Sequence, residues 1–449
     1  DDLVARVEGR SSIGRLAVVV HASLPADEEV FLWTPDEGFG FWEIGEVVDR
    51  EIPARAVSFD PETLEVRTCE ITDFIENHVQ QIFRVTLENG RSVHVTKDHN
   101  LFTLNEEGEI AKVASREAVG RLVMTPDQLP APDRAQTELD LVDLLGEDDR
   151  IVAHAPGGFD EVDWSTVAPT TRKHYKGRET APLARISSES LGNEVALSFK
   201  QSNYRVPRRL EISEEFGWLL GFYAAEGYAR RKQIVLTNTN PQFLDRAATW
   251  FQRRDASISW TRRDDGADQL TVCSALWSAV FQQLAGAGRE KKIPEVAWNW
   301  SDSVLDALLE GLLDGDGHRR DGRATLYTAN EDLADRATYL GTRLGYLTST
   351  YRRDRPAGEE DSETRVEWAI DFREEAYKRG QYVPNPSAHL RQLRQQAGLS
   401  QQEAAEAIDR SSKTSISNIE NREYESVKRR TLTDLRDCYA EHGADTSRL

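Results

Sequence analysis

Leu309-Glu310-Gly311-Leu312-Leu313-Asp314-Gly315-Asp316-Gly317 is an apolar, small-residue run that ends on an acid followed by glycine. An earlier stretch, Leu219-Leu220-Gly221-Phe222-Tyr223-Ala224-Ala225-Glu226-Gly227, follows the same pattern. The spacing is constant, since 316 − 226 and 311 − 221 both give 90. Downstream, Leu236, Asn240, Asp245, Arg246 and Ala247 recur at that spacing as Leu326, Asn330, Asp335, Arg336 and Ala337. A register shared over about thirty residues marks a duplicated unit. Glycine and alanine on one helix face let a second helix backbone approach closely. Two copies packed about a pseudo-two-fold axis bring Glu226 and Asp316 side by side at the helix ends. Carboxylates that close repel unless cations lie between them. Oxygen ligands in an open site suit Mg²⁺, and two metals can clamp the attacking and leaving oxygens of a phosphodiester. The plain alternative, two buried helices whose acids cap or face solvent, leaves the shared register without a reason.

The two motifs resemble the paired motifs of the LAGLIDADG homing endonucleases, which cut long double-stranded DNA sites. The resemblance implies metal-binding acids just before the last glycine, here Glu226 and Asp316, with Mg²⁺ as cofactor. It also implies a duplicated α+β fold over residues 206–378, whose two sheets form a saddle on the DNA major groove. A two-stranded ribbon fits that groove. The first copy departs at its sixth position, where Ala224 replaces an acid that is not the metal ligand. Lys291-Lys292-Ile293-Pro294 is similar to a Lys-x-Ile-Pro block of endonuclease-bearing inteins. That makes Lys291 the first choice for an active-site lysine and Lys292 the second; otherwise they are a solvated basic pair.

Upstream the pattern is β. Ile82 to Leu87 is rich in β-branched and aromatic residues, and Asn89-Gly90 offers the positive-φ pair of a tight hairpin turn. Ser92-Val93-His94-Val95-Thr96 alternates as a half-buried strand and runs into Lys97-Asp98-His99. Singly, Ser23, Thr96 and His99 read as a loop serine, a strand residue and a satisfied histidine. In this order, the stretch from Ser23 to Trp33 resembles block A of inteins, and Thr-x-x-His resembles block B. The resemblance implies an all-β Hint domain over residues 23–135. There the Ser23 hydroxyl would attack the Ala22 carbonyl in an N-to-O acyl shift, a weak nucleophile that needs activation. His99, ordinarily titrating near 6.5, would protonate the departing nitrogen, and Thr96 would hold the scissile bond. A complete intein ends on His-Asn, but this chain ends Asp445-Thr446-Ser447-Arg448-Leu449, and its only His-Asn pair is His99-Asn100. It is expected to be truncated or degenerate as a splicing element.

Residues 1–22 contain Glu8-Gly9-Arg10-Ser11-Ser12-Ile13-Gly14-Arg15-Leu16, then Val20-His21-Ala22. Alone this is any short amphipathic lead. It is similar to the nucleotide-binding segment of dCTP deaminases, which implies an active-site remnant at Arg10, Ser11, Ser12 and Arg15. The catalytic Glu of that family, after Ile-Asp-Pro-Gly, does not appear. The segment is expected to be a host fragment interrupted by an insertion, making the host protein a partner in cis.

At the other end, Pro384-Asn385-Pro386-Ser387 breaks helix and marks a boundary. Leu390 and Leu393 share one helix face, and Ser400-Gln401-Gln402-Glu403 carries a capping-box signature. Ala404, Ala405 and Ile408 form a buried stripe, and a third helix over residues 412–421 turns Ile416 and Ile419 inward. The module, residues 387–445, resembles an all-α phage-repressor-type helix-turn-helix. Its outward Ser411, Lys413, Thr414, Ser415, Ser417, Asn418 and Arg422 suit bases and phosphates. A three-helix module without DNA contact is the alternative.

The chain's 449 residues hold two or three domains. No run of about eighteen apolar residues spans a membrane, and no signal peptide is visible. Cys69, Cys273 and Cys438 are too far apart for a zinc module or disulfide framework, so a reducing cytoplasm is the default. A net charge of −21 is unusual for a DNA-binding chain. Local basic groups around the duplicated unit offset it, including Arg205, Arg208, Arg209, Arg230, Arg231, Lys232, Arg262, Arg263, Arg319, Arg320, Arg352 and Arg353. A salt-loving cytoplasm, as in a halophilic archaeon, would offset it too, since the Debye length is about 3 Å at 1 M salt. Residues 136–205 are polar and read as a linker or a DNA-contacting region. The expectation is a multidomain, monomeric, intein-encoded double-strand DNA endonuclease. The alternatives are a decayed endonuclease that binds DNA through its helix-turn-helix, and a self-cleaving Hint domain only.

Overall fold

The computed structural model describes residues 3–8, 24–60, 63, 65–78, 81–97, 99–146, 148–187, 191–192, 194–263, 266–320, 322–355, 365–374, 382–408 and 413–447. Ser23, Arg10, Ser11, Ser12, Arg15 and Ser411 lie outside them. The chain forms two compact units: residues 1–130, 345–347 and 373–449, and residues 131–344 and 348–372.

In the second unit the repeat register becomes a repeat of structure. The first copy runs helix Glu214–Glu226, strands Gly227–Arg230 and Gln233–Asn238, helix Pro241–Gln252, and strands Ile258–Thr261 and Asp268–Val272. The second copy runs helix Asp302–Asp316, strands Gly317–Arg320 and Arg323–Thr328, helix Glu331–Arg343, and strands Leu347–Arg355 and Arg365–Arg373. Both sheets place the last strand of the copy between its second and third. The repeated asparagines explain part of this: the Asn240 side chain accepts from the Gln242 N–H at 3.1 Å and that of Asn330 from the Leu333 N–H at 3.1 Å, starting equivalent helices.

Residues 136–205 are not a linker. Thr180–Pro182, Ile151–His154, Ala196–Phe199 and Val206–Pro207 pair in that order as a four-stranded sheet. Leu141, Ile151, Ala153, Ala181, Leu183 and Leu197 are buried beneath it. The strands are only two to four residues long and are separated by polar loops, which hides their period in the sequence. Arg208, counted above among the basic groups, is buried and grips Asp140 through Nε at 2.9 Å and NH2 at 2.6 Å. Two parallel N–H bonds of this kind compensate a buried carboxylate well. Arg208 is therefore a structural strut with no access to a phosphate.

The first unit opens with antiparallel strands but is not purely β, since helix Ile44–Asp49 buries Ile44, Val47 and Val48 against the strands. The hairpin Ile82–Thr86 with Ser92–Thr96 forms, with Val93 and Val95 buried. Its turn differs from expectation. Gly90 alone takes positive φ, at 87°, and the Leu87 N–H donates to the Arg91 carbonyl at 2.8 Å, so the loop is longer than two residues. Backbone of the N-terminal segment enters this unit: Leu3–Glu8 pairs with Asp73–His78, and its Val4 and Ala5 with Leu24–Pro25.

The C-terminal module has four helices rather than three: Ser387–Gln396, Gln401–Ala407, Lys413–Glu420 and Arg429–Glu441. Ser400 and Glu403 form the capping box. Leu390, Leu393, Ala404, Ala405, Ile416 and Ile419 share one core, which Leu435, Cys438 and Tyr439 of the fourth helix complete. Arg394 and Gln401 bind the buried Glu420 carboxylate at 2.6 and 2.9 Å. Among the described residues no helix is long and apolar enough to cross a membrane.

Candidate active site

The helices Glu214–Glu226 and Asp302–Asp316 touch through their backbones, because glycine stands where any side chain would collide. A Cβ on Gly221 would overlap the Leu308 carbonyl, one on Gly311 the Trp218 carbonyl, and one on Gly315 the Ala225 methyl. The close approach carries the last residues of the two helices, Glu226 and Asp316, to a common point. There each chain leaves the helix in an extended conformation at Gly227 and Gly317.

Burial and mutual repulsion make this point electrostatically costly. The Glu226 carboxyl is pushed up to about 7, first by burial and then by the Asp316 charge, against help from Asn238 and Lys291. Asn238 Nδ2 donates to Glu226 Oε1 at 2.7 Å. Asp316 is also raised, first by burial, with Lys291 opposing and Glu367 adding to the shift. Lys291 Nζ donates to the Ala225 carbonyl at 2.7 Å. Burial lowers it to about 8 despite both carboxylates. Glu226 and Lys291 are half-buried while Asp316 keeps a solvent-exposed edge, and two adjacent carboxylates with open positions beside one lysine fit a hard divalent cation that keeps water and substrate oxygens in its shell. Among the described residues no group of three or more His, Cys, Asp or Glu side chains forms a closed metal cage.

Of the two sequence candidates, the structure brings Lys291 to the carboxylates. Lys292 is anchored by its backbone, whose N–H donates to the Ala285 carbonyl at 3.0 Å. Asn330 Nδ2 donates to the Lys291 carbonyl at 2.6 Å, and the Tyr223 hydroxyl donates to the Gly286 carbonyl at 2.8 Å, so both ends of the lysine loop are held. Asp314 is set apart, since Trp218 Nε1 and Arg319 NH1 donate to it at 2.9 and 2.8 Å. Sequence reading missed Asn238, Glu367 and Tyr223. Asn330 stood in the repeat register but was read only as a marker of duplication.

The other expected residues are distributed differently. His99 is 1 % exposed, burial lowers it to about 3, and neither ring nitrogen has a hydrogen-bond partner among the described residues. Burial thus favours its neutral imidazole form. The turn before it is stapled by Ser115, whose hydroxyl donates to the Thr96 and Lys97 carbonyls at 2.9 and 3.0 Å; the sequence carried no signal for that residue. In the C-terminal module Thr414 is exposed and Ser415, Ser417 and Asn418 are half-buried. Asn418 Nδ2 donates to the Tyr424 hydroxyl at 3.2 Å, and the Ser417 hydroxyl accepts from Asn421. Lys413 starts its helix, but its side chain lies outside the described residues. Arg422 is ion-paired at the surface to Glu106, whose carbonyl also accepts the N–H groups of Ala388 and His389.

Two stretches of the chain match known domain families. Residues 303–377 match a LAGLIDADG-like domain and residues 387–449 a helix-turn-helix domain. A DNA polymerase of Thermococcus kodakarensis is 23% identical over 445 residues, covering 75% of this chain and 26% of the polymerase. An A-type ATP synthase component of Methanopyrus kandleri is 24% identical over 298 residues, covering 60% of this chain and 29% of that protein. The chain thus spans about a quarter of the length of these relatives. A crystal structure of I-DmoI in complex with DNA and Mn is 14% identical, with a TM-score of 0.29, covering 36% of this chain and 90% of that one.

Proposed function

We propose that this chain is a site-specific double-strand DNA endonuclease carried in a self-processing Hint element inserted into a dCTP deaminase-type host. The observation that carries the nuclease reading is the convergence of Glu226, Asp316 and Lys291 at the ends of two glycine-packed helices. The insertion reading draws on the relatives: one shared segment within a DNA polymerase and an ATP synthase component is what a mobile insert leaves behind.

Glu226 and Asp316 would hold Mg²⁺, which when bound supplies charge to neutralise the scissile phosphate and acidifies its water. Asn238 fixes one Glu226 oxygen and leaves the other for the cation. Lys291, poised near 8, stabilises charge on the phosphate as ammonium or, as amine, takes a proton from the attacking water. The helix-turn-helix lengthens the recognised site through Lys413, Thr414, Ser415, Ser417 and Asn418. In the Hint element, Ser23 performs the acyl shift onto its hydroxyl, with the Thr96–His99 turn held by Ser115.

The test is incubation of the folded chain with Mg²⁺ and DNA carrying the uninterrupted host gene. Cleavage of both strands at the insertion point is expected, and intact DNA in the presence of folded protein overturns the nuclease reading. For the Hint chemistry, mass spectrometry with hydroxylamine should detect the released 22-residue segment. Unchanged release from Ser23→Ala overturns the acyl shift.

A further inference from the structure

The 136–205 region carries a surface that the nuclease centre does not use. Helix Pro169–Lys176 buries none of its residues. Its side chains and those just after it include Arg172, Lys173, Lys176 and Arg178, and no acid lies between residues 169 and 178. Arg172 and Lys176 lie over the Trp164 ring at 5.7 and 6.0 Å. Tyr175 lies against the same ring at 6.2 Å. Two nearby acids have other partners: Asp163 faces Arg185 at 3.7 Å, and Glu179 accepts the Gly157 N–H at 3.2 Å. Among the described residues none of the four cations is paired with a carboxylate. That is notable in a chain with 77 acids against 56 lysines and arginines. The helix dipole favours cations in a last turn, but it does not account for an acid-free helix with no buried residue, two of whose cations lie over one indole.

We propose that this surface is a second contact to duplex DNA, gripping the phosphate backbone on the flank beyond the half-site engaged by the first repeat. It rests on the nuclease reading above. Charge complementarity names the occupant: Arg172, Lys173 and Lys176 at the spacing of one helix face, with Arg178 just beyond its end, match a row of phosphates. The π-surface of Trp164 is occupied by the cations, which removes it as a stacking platform for unpaired bases. The side of the molecule follows from the anchoring. Tyr204, in the loop between the last two strands of the four-stranded sheet, donates its hydroxyl to the Arg254 carbonyl at 2.7 Å in the first repeat and accepts from Trp277 Nε1 at 2.7 Å in helix Ala275–Ala285, which follows that repeat. Glu138–Asp140 also pairs with Arg209–Glu211, the strand that leads into the first motif helix. The surface therefore moves with the first repeat as one body.

The test compares wild type with Arg172→Gln/Lys176→Gln and, separately, Lys173→Gln/Arg178→Gln, all exposed positions whose exchange leaves the fold intact. Binding to the uninterrupted-gene duplex is measured without divalent cation over a salt series, then with either flank trimmed. Each double variant should flatten the slope of log K against log salt by about 1.8 if two phosphate contacts are lost. It should weaken binding about tenfold or more and leave the cleavage rate at saturating DNA unchanged. Trimming one flank, and not the other, should erase the difference. A wild-type slope in both variants overturns the proposal, as does a loss that persists on both trimmed duplexes, or binding confined to single strands. Wild type that binds but does not cut removes the nuclease reading while leaving the salt slopes interpretable. Wild type that cuts while the variants match it removes only the surface. No binding at all removes both.

Discussion

The two repeats share a backbone plan and differ in what fills it. The first, with helix Ala275–Ala285 that follows it, is packed with aromatic rings: Phe216 stacks on Trp250 at 5.6 Å, Trp250 meets Trp277 edge-on at 5.0 Å, and Trp218, Phe222 and Phe281 are fully buried. The second buries polar groups instead. Arg323 and the Thr325 hydroxyl donate to the buried Asp371 carboxylate at 2.6 and 2.8 Å, and the hydroxyls of Thr338 and Thr350 share a hydrogen bond of 2.7 Å. The asymmetry reaches the site, where an amide supports Glu226 while the Glu367 carboxylate presses on Asp316. A duplicated fold survives such divergence because its helix contact is made by glycines and its helix starts by asparagines, neither of which depends on the core chemistry.

The largest effect is expected at the acids. Glu226→Gln and Asp316→Asn should each cut single-turnover cleavage by about a thousandfold or more, a loss of several kcal/mol of transition-state stabilisation. Equal losses would mean that the asymmetry is silent in chemistry. Next come the helix contacts. Gly221→Ala and Gly311→Ala should each cost about 3 kcal/mol in urea melts, since the new methyl meets backbone that cannot move aside. Little change in either would break the backbone-contact account. Lys291→Ala should lower cleavage about a hundredfold, and Lys292→Ala should change it little.

The pH dependence has two opposite signs. A carboxyl raised to about 7 favours the folded state in full in acid and loses that contribution as pH rises through 7. Glu226→Gln should therefore raise the metal-free Tm above pH 7 and leave it unchanged near pH 4. Metal needs the ionised form, so the half-saturating Mg²⁺ concentration should fall by up to about tenfold per pH unit below 7 and level off above it. The smallest effect is expected at Asn238→Ala, which removes one hydrogen bond worth about 1 kcal/mol and should raise the Mg²⁺ requirement several-fold. Thr328→Ala, the same register position in the second repeat, should leave it unchanged.

Much of this was legible in the chain alone. The 90-residue register, the capping asparagines and the Ser400–Glu403 box are local or periodic properties, which is why helices, strand starts and the pair Glu226 and Asp316 could be read from order and spacing. The positions of Ile416 and Ile419 followed from helical period for the same reason. The sheet in residues 136–205 escaped because strands of two to four residues carry too few apolar positions to show alternation. Identical residue types also took different fates. Lys291 faces the carboxylates and Lys292 does not; Arg208 and Arg422 are spent on Asp140 and Glu106, while Arg172 is paired with no carboxylate among the described residues. Charge and burial at these positions are set by neighbours far away in the chain. Spacing thus specified the two acids and the glycines that let them meet, and packing alone decided their raised pKa values and the side chains that hold their lysine.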